Sequence, residues 1–315
     1  MPHLRIATRP SRMAQTQARL VGDALVRAHA GLTYELVLVQ SSGDKSQAWN
    51  GNLHQDGGKG AFIKEVEQAV LAHQADIAVH SMKDVPTDVE HPELMIAAVL
   101  PRDDRRDVAI CKVGQAFEAL PAGAKVGTSS VRRQAQLRRY FPHLEPVHFR
   151  GNADTRLEKL DRGEVDCILL AKSGVDRLGL MGRITVVFEP DIVMPACQQG
   201  VVGIQCLTSA TAVQELVAAI NHAPTMTCLQ AERALLKLLQ GNCFSPIAGY
   251  CEITKGNNLR MQALVASLNG QQLVRSRLKH EGQQPEALAR AVADDLLAQG
   301  AAALIAAAAP LDEAG

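Results

Sequence analysis

One order of strand, polar turn and amphipathic helix occurs twice in the first two-thirds of the chain, and it restricts the fold more than any other feature. In the first copy an apolar strand at 4–8 leads through a turn at 9–11 into a helix ending near His29. In the second, a strand at 124–127 leads through 128–130 into a helix over 131–140. Each copy continues with a second strand, at 34–40 and 145–149. A helix and third strand follow, 61–73 then 76–80 in one copy, 155–160 then 165–171 in the other. This β-α-β-α-β succession predicts an α/β protein with two similar doubly wound lobes. Paired lobes of this kind place a ligand in the cleft between them.

The segment 101–107, Pro-Arg-Asp-Asp-Arg-Arg-Asp, separates the copies and reads as a solvated hinge. A second junction falls near Met194-Pro195-Ala196, after which the buried run Val201-Val202-Gly203-Ile204 would return to the first lobe. The remainder has a different pattern: a helix over 225–239, strands near 250–254, 259–268 and 272–280, and a closing helix over 285–297. Its Asn269-Gly270 pair is a strong hairpin signal. The expected domains are therefore 1–100 with 201–218, then 101–200, then a small α+β domain over 219–315.

The 33 basic and 33 acidic residues cancel, so any anion site must be built locally, and a bulk-charge nucleic-acid binder is disfavoured. Seven cysteines, an odd number without CxxC spacing, suit a reducing, cytoplasmic compartment. No His–Cys cluster has metal-ligand spacing, so no metal is expected. The amino terminus lacks a signal-peptide pattern, and the apolar run 301–310 is too short to span a bilayer. The expected partner is thus a small molecule, with neither nucleic acid nor membrane.

The chemistry concentrates where strands end. His80-Ser81-Met82-Lys83-Asp84-Val85-Pro86 follows the third strand, and a cation beside a carboxylate there can hold an anion and stabilise developing positive charge. Arg9 precedes Ser11, Lys59 lies in Gly57-Gly58-Lys59-Gly60, and Arg132 and Arg133 follow Thr128-Ser129-Ser130. Arg150 precedes Gly151-Asn152, with Arg156 one helical turn further. Free N–H groups and helix dipoles favour anions at such points, and guanidinium groups bind carboxylates in bidentate fashion. The set predicts a ligand with many carboxylates; no Gly-rich P-loop favours phosphate. Arg138 and Arg139 lie farther along their helix and read as a solvated face. Cys243, in a loop after Gly241-Asn242, is open to three readings: nucleophile, covalent attachment point or inert thiol.

In this order the motifs resemble the porphobilinogen deaminase (hydroxymethylbilane synthase) family. The matching runs are Arg5-Ile6-Ala7-Thr8-Arg9-Pro10-Ser11, Gly57-Gly58-Lys59-Gly60, the run from His80 to Pro86, and Val126-Gly127-Thr128-Ser129-Ser130-Val131-Arg132-Arg133-Gln134. Arg150-Gly151-Asn152 through Arg156, Arg177-Leu178-Gly179-Leu180, Ala231-Glu232-Arg233 and the Cys243 loop complete the set. The resemblance implies a cytoplasmic, monomeric transferase of porphyrin, tetrapyrrole and haem biosynthesis. Such an enzyme deaminates four porphobilinogen molecules and joins them head to tail onto a covalent dipyrromethane primer, releasing hydroxymethylbilane. It implies Asp84 as the catalytic carboxylate and Cys243 as the thioether attachment point. Lys83, Asp84, Thr128, Ser129, Ser130, Arg132 and Arg133 would bind the dipyrromethane cofactor. Arg9, Ser11, Lys59, Arg150, Arg156, Arg177 and Gln199 would bind substrate.

Several residues depart from the family pattern, among them Pro10, Arg12 and Met13, which alter the start of the first helix. Asn242 stands where the cysteine loop usually has Gly, Gln198 where Gly is common, and Gln205 where Glu is usual. Asn is the non-Gly residue that best tolerates a left-handed backbone. Two rival readings are a non-catalytic anion-binding protein with two periplasmic-binding-protein-like lobes, and a degenerate paralogue lacking the cofactor. The first leaves Asp84 and the Cys243 domain without a purpose.

Overall fold

The computed structural model describes residues 3–41, 63–87, 91–241 and 245–308. The chain divides into two compact units. One comprises Met1–Asp104, Asp176–Gly179 and Gln199–Met226; the other comprises Arg105–Val175, Leu180–Gln198 and Thr227–Gly315.

The first unit is built on a five-stranded sheet. Its strands are β1 (His3–Thr8), β2 (Thr33–Leu38), β3 (Ile77–Ser81), β4 (Leu94–Val99) and a later strand β10 (Val202–Leu207), in the order β2-β1-β3-β10-β4. β1 runs parallel to β2 and β3, whereas β10 is antiparallel to β3 and β4. Side chains alternate across the pleat. Ile6, Ile77 and Val79 pack with Ala18, Val21 and Leu25 of α1 (Arg12–Ala28). Ala7 and Ala78 pack with Val66, Ala69 and Val70 of α2 (Lys64–Leu71). Helices thus cover both faces, so Leu4, Ile6 and Ala7 of β1 and Ile77, Ala78 and Val79 of β3 are all buried.

The second unit repeats this topology. β5 (Asp107–Cys111), β6 (Lys125–Gly127), β7 (Glu145–Val147), β8 (Cys167–Ala171) and β9 (Val186–Val187) lie in the order β7-β6-β8-β5-β9. Again three strands are parallel, and β5 is antiparallel to β8 and β9. One face packs Leu137 of α3 (Val131–Tyr140) against Val126 and Leu169. The other packs Leu157 and Leu160 of α4 (Ala153–Asp161) against Ile110 and Ile168. The sequence duplication therefore extends to the antiparallel strand, which the periodicity alone did not reveal.

The same unit contains a three-stranded antiparallel sheet, β11 (Ile247–Thr254), β12 (Asn258–Ala266) and β13 (Leu273–His280). The helix Pro285–Ala298 covers it through Leu288, Val292 and Leu296. The bland run after Gly300 is also helical, Ala301–Ala308, and buries Ala301 and Leu304 in the same core. The Asn269-Gly270 turn forms as expected, with Gly270 at φ +72°.

Two expectations are incomplete. The segment 101–107 carries the boundary between the two units, after Asp104, but its charges are not simply solvated. Arg102 donates to Gln199 O at 2.9 Å, Arg105 pairs with Glu252 at 2.6 Å, Arg106 pairs with Glu189 at 2.7 Å, and Asp107 is 0% exposed as the first residue of β5. Alternating charges signal solvent only when no partner lies elsewhere in the fold. Arg139 is exposed and Arg138 partly so, as a solvated face implies, but both also have partners in the fold. Arg138 donates to Leu268 O at 2.6 Å and Arg139 to Gln271 O at 3.1 Å, so both clasp the β12–β13 turn. Carbonyls exposed at a tight turn are natural acceptors for such side chains.

Gly203 in β10 lies under Met82, which precedes Lys83 and Asp84. A Cβ there would fall inside the radius of Met82 Sδ and 2.8 Å from its Cγ, and Met82 is itself only 1% exposed. Gly203→Ala should therefore cost about 1–3 kcal/mol, the range for overpacking a filled core. Urea unfolding measures this; an unchanged midpoint would show that Met82 yields freely.

Candidate active site

Parallel strands end on one edge of a sheet, and that is how the first unit gathers its functional side chains. β1 ends at Thr8 and delivers Arg9 and Ser11; β3 ends at Ser81 and delivers Lys83 and Asp84. Ser11 is the N-cap of α1, accepting from Ala14 N at 3.3 Å, so its hydroxyl is held at the mouth of a helix N-terminus. Ser81 is tied to α1 by Gln17 Nε2 at 2.7 Å. After it the chain tightens into a 3-10 turn, Met82–Asp84, whose Met82 is buried while Lys83 and Asp84 are exposed. The buried methionine anchors the turn and leaves the two charged side chains outward.

β10 starts at the same edge, because it runs antiparallel with Val202 opposite Ser81. Gln199 therefore lies there too, 1% exposed. Arg177 joins this unit: it donates from Nε to Asp103 at 2.8 Å and from Nη2 to Gly200 O at 3.1 Å. A Cβ at Gly200 would stand 2.7 Å from Asp103 O, so only glycine lets these two segments approach. Lys59 lies outside the described residues.

Behind this edge is a polar chain that sequence reading missed. His80 is buried in β3 with Nε2 3.0 Å from Gln205 Oε1, and Gln205 Nε2 donates to Glu67 Oε1 at 2.9 Å. Burial pushes His80 down from 6.5 to about 4, against a smaller upward pull from the Gln205 bond. Burial also raises Glu67. The signal was available in the register: His80 lies on a strand buried almost throughout, where a histidine needs a partner.

In the second unit β6 ends at Gly127 and runs through Thr128, Ser129 and Ser130 into α3. The turn is wired internally. Ser130 N donates to Thr128 Oγ1 at 3.3 Å, Ser129 Oγ to Phe149 O at 2.7 Å, and Gln134 Nε2 to Thr128 O at 2.8 Å. Ser130 Oγ caps the helix, facing Arg133 N at 3.5 Å. No acidic residue occupies the first turn of α3, so the positive end of the helix is uncompensated by its own side chains.

Arg132 and Arg133 are 4% and 6% exposed, and both reach Asp107, at 2.7 Å each. Arg132 also donates to Met194 O, and Arg133 to Leu169 O at 3.0 Å. Burial alone would raise the Asp107 carboxyl, but the two guanidinium groups hold it well below the usual carboxylate range. Two cations and one anion leave one positive charge in a buried cluster. The Nε atoms of both arginines are buried with no hydrogen-bond partner. Donors in that condition are costly unless an acceptor arrives.

Arg150 and Arg156 are placed beyond β7. Arg150 is 8% exposed; Arg156 Nε donates to Gly151 O at 2.7 Å, across a glycine at φ +127°. Burial lowers His148, and Arg150 and Arg156 lower it further, so a positive field exists here as well. Gln198, buried at φ +66°, takes the left-handed backbone that suits glycine. Its amide N donates to Glu232, whose other oxygen accepts from Cys251 N at 2.7 Å, and its side-chain oxygen accepts from Arg233 at 3.0 Å. These bonds explain how glutamine is tolerated there and give the Ala231-Glu232-Arg233 motif a structural task. Asn242 and Cys243 lie outside the described residues.

Each of the two five-stranded sheets, alike in topology, delivers cationic and hydroxyl side chains from its strand ends. The family model described as "Porphobilinogen deaminase, dipyromethane cofactor binding domain" matches residues 4–215, and "Porphobilinogen deaminase, C-terminal domain" matches residues 226–298. Proteins named porphobilinogen deaminase from Bordetella parapertussis (strain 12822) and Bordetella bronchiseptica (strain RB50) are each 43% identical over 303 residues, covering 96% of this chain and 95% of theirs. The chain belongs to the porphobilinogen deaminase family. Among solved structures, the methionine-binding protein MetQ aligns with a TM-score of 0.45 and 13% identity over 71% of this chain and 92% of its own, and carries no functional argument.

The His80 shift has a consequence for stability. The folded-state value lies below the ordinary one, so this stability is whole above the ordinary histidine range and falls as pH drops from 6.5 to about 4. His80 alone should contribute a loss on the order of 3 kcal/mol, opposed by Glu67, whose raised carboxyl gains stability as it protonates. Gln205→Glu would set a carboxylate against the imidazole and favour its protonated form. Denaturant unfolding across that window should show a decline in the parent chain that flattens in Gln205→Glu; equal slopes would refute the assignment.

Proposed function

We propose that this chain is the transferase that deaminates four porphobilinogen molecules and joins them head to tail onto a covalently held dipyrromethane, releasing hydroxymethylbilane for tetrapyrrole and haem synthesis. The observation that carries this reading is the exposed Asp84 carboxylate at the sheet edge where Arg9, Ser11 and Lys83 also emerge. Family membership and the match of residues 4–215 to a cofactor-binding domain support it.

The dipyrromethane, when bound, supplies a nucleophilic pyrrole carbon and carboxylate side chains. Cys243 would carry it, and Arg132, Arg133, Thr128, Ser129, Ser130 and Lys83 would hold its carboxylates. For that task the second unit offers the surplus positive charge of Arg132 and Arg133 over Asp107. Arg9, Ser11, Lys59, Arg150, Arg156, Arg177 and Gln199 would receive the carboxylates of substrate and growing chain. Arg177 already bonds Asp103, so it would do so while bracing the Gly200 turn.

Asp84 is the catalytic residue in this reading. As ammonia leaves the substrate's aminomethyl group, positive charge spreads over the ring and its N–H. A fixed carboxylate beside that N–H stabilises the cation and lowers the barrier, as preorganised charge does in a partly desolvated site. Lys83, adjacent in the same turn, would neutralise a substrate carboxylate and keep it away from Asp84. Zero formal net charge supports a small-molecule partner rather than nucleic acid, and the odd cysteine count supports a reducing, cytoplasmic setting for a monomeric enzyme.

Asp84→Asn preserves shape and removes the charge. Purified Asp84→Asn should keep the mass of two added pyrrole units and unfold normally. Its turnover of porphobilinogen should fall by a factor consistent with about 3–4 kcal/mol of lost transition-state stabilisation. Near-normal turnover would overturn the role of Asp84; a wild-type mass equal to the bare sequence, with full activity, would overturn the covalent primer.

A further inference from the structure

β5 and β8 run antiparallel through the second unit's sheet, and Cys111 lies directly opposite Cys167. The backbone shows which kind of pair this is. Lys172 N donates to Arg106 O at 2.9 Å, and Lys112 N to Asp166 O at 3.2 Å. These mark the hydrogen-bonded pairs, which recur at every second residue of an antiparallel ladder. Cys111 and Cys167 therefore form a non-hydrogen-bonded pair, where Cα atoms approach to about 4.5 Å and side chains are closest. Cys111 N turns the other way, to Thr185 Oγ1 at 3.0 Å. Disulfide bridges span Cα separations of about 4.4–6.8 Å, so the strands need little adjustment to accept one.

Both side chains belong to one apolar cluster with Val126, Leu137 and Leu169, so they share a face of the sheet. Cys111 is 3% exposed and Cys167 0%. Cys111 is the last residue of β5, and the exposed residues Val113 and Gly114 follow. A small oxidant reaches the pair by transient opening at this end of the strand, as local unfolding equilibria allow. The thiols differ in character. The hydrogen bond from Cys167 holds the Cys111 thiol down, against burial. The same bond, together with burial, pushes Cys167 well up. Cys111, at the strand end, is the more accessible sulfur for attack, and Cys167 beside it can resolve.

We propose that Cys111 and Cys167 form a peroxide-sensitive dithiol, a modification site that closes into a disulfide across β5 and β8. The Cys111 thiolate attacks one oxygen of hydrogen peroxide, the O–O bond breaks, and a sulfenic acid forms as the departing hydroxide takes a proton. Cys167 sulfur then attacks the sulfenic sulfur, its proton leaves with the hydroxyl as water, and the S–S bond closes. Two thiols lose two electrons and two protons, and peroxide becomes two waters. The bridge would pin β5, whose first residue is Asp107, to β8.

The test uses the full-length protein, reduced, exposed to rising hydrogen peroxide, then unfolded, alkylated and digested for mass mapping. The expected product is a peptide pair joining Cys111 to Cys167, lighter by two hydrogens than the separate reduced peptides and lost on treatment with dithiothreitol. Cys111 should be consumed before Cys206, whose thiol burial raises. Cys111→Ser and Cys167→Ser should each abolish the linked pair, and Cys167→Ser should drive Cys111 on to the sulfinic acid. Recovery of both cysteines as free thiols at peroxide levels that oxidise the methionines would overturn the proposal. So would a cross-link from either to a different cysteine. If a serine variant fails to fold, the wild-type peptide map decides alone.

Discussion

The second unit depends on one carboxylate. Asp107 is 0% exposed and lies 2.7 Å from each of two buried guanidinium groups that come from consecutive residues of α3. Without it, Arg132 and Arg133 would be like charges buried side by side, a condition that proteins escape only by pairing or by rearranging. With it, both side chains are fixed in direction. Met194 O and Leu169 O take further N–H groups, and Gln136 clasps Met194 from the same helix, donating to its carbonyl at 3.1 Å and accepting from its amide at 2.7 Å. The result is a rigid cluster with one positive charge to spare at a helix N-terminus. A polycarboxylate can find such a site already assembled, so little ordering entropy is lost on binding.

The position of the functional groups follows from sheet topology. In both five-stranded sheets the three parallel strands end on one edge, and their loops carry the cationic and hydroxyl residues. The antiparallel fourth strand serves each sheet differently. β10 brings Gln199 and Gly200 to the edge bearing Asp84, whereas β5 brings Asp107 to the edge bearing Arg132 and Arg133. One architecture, duplicated, thus yields an edge with an exposed carboxylate and an edge with a buried one. The exposed carboxylate is free to face charge that develops on a substrate; the buried one organises cations.

Most of this framework was legible in the sequence, because apolar strands alternating with amphipathic helices leave few alternatives. The strand-end positions of Arg9, Lys83, Asp84, Arg132 and Arg133 could be read from local pattern. The partners could not. Asp107 stands at the end of a run of alternating charges, and nothing local distinguishes its buried carboxylate from the half-exposed Asp104. Arg138 and Arg139 look merely solvated until the turn after β12 supplies carbonyls for them to hold. Gln198 looks like a loss where glycine is common, yet Glu232 holds its backbone and Arg233 its side chain, both more than thirty residues away. Each missed feature is a long-range pairing of polar groups, and periodicity carries no information about such pairs.

The most direct test of the Asp107 account is the stability of Asp107→Asn at neutral pH, measured by denaturant unfolding. Asparagine keeps the shape and some hydrogen bonding but leaves two buried cations with no counter-charge. The account predicts a loss of about 3–5 kcal/mol, the cost of breaking a buried ion pair from one side. A variant as stable as the parent would contradict it, because Arg132 and Arg133 would then be held by something other than this carboxylate.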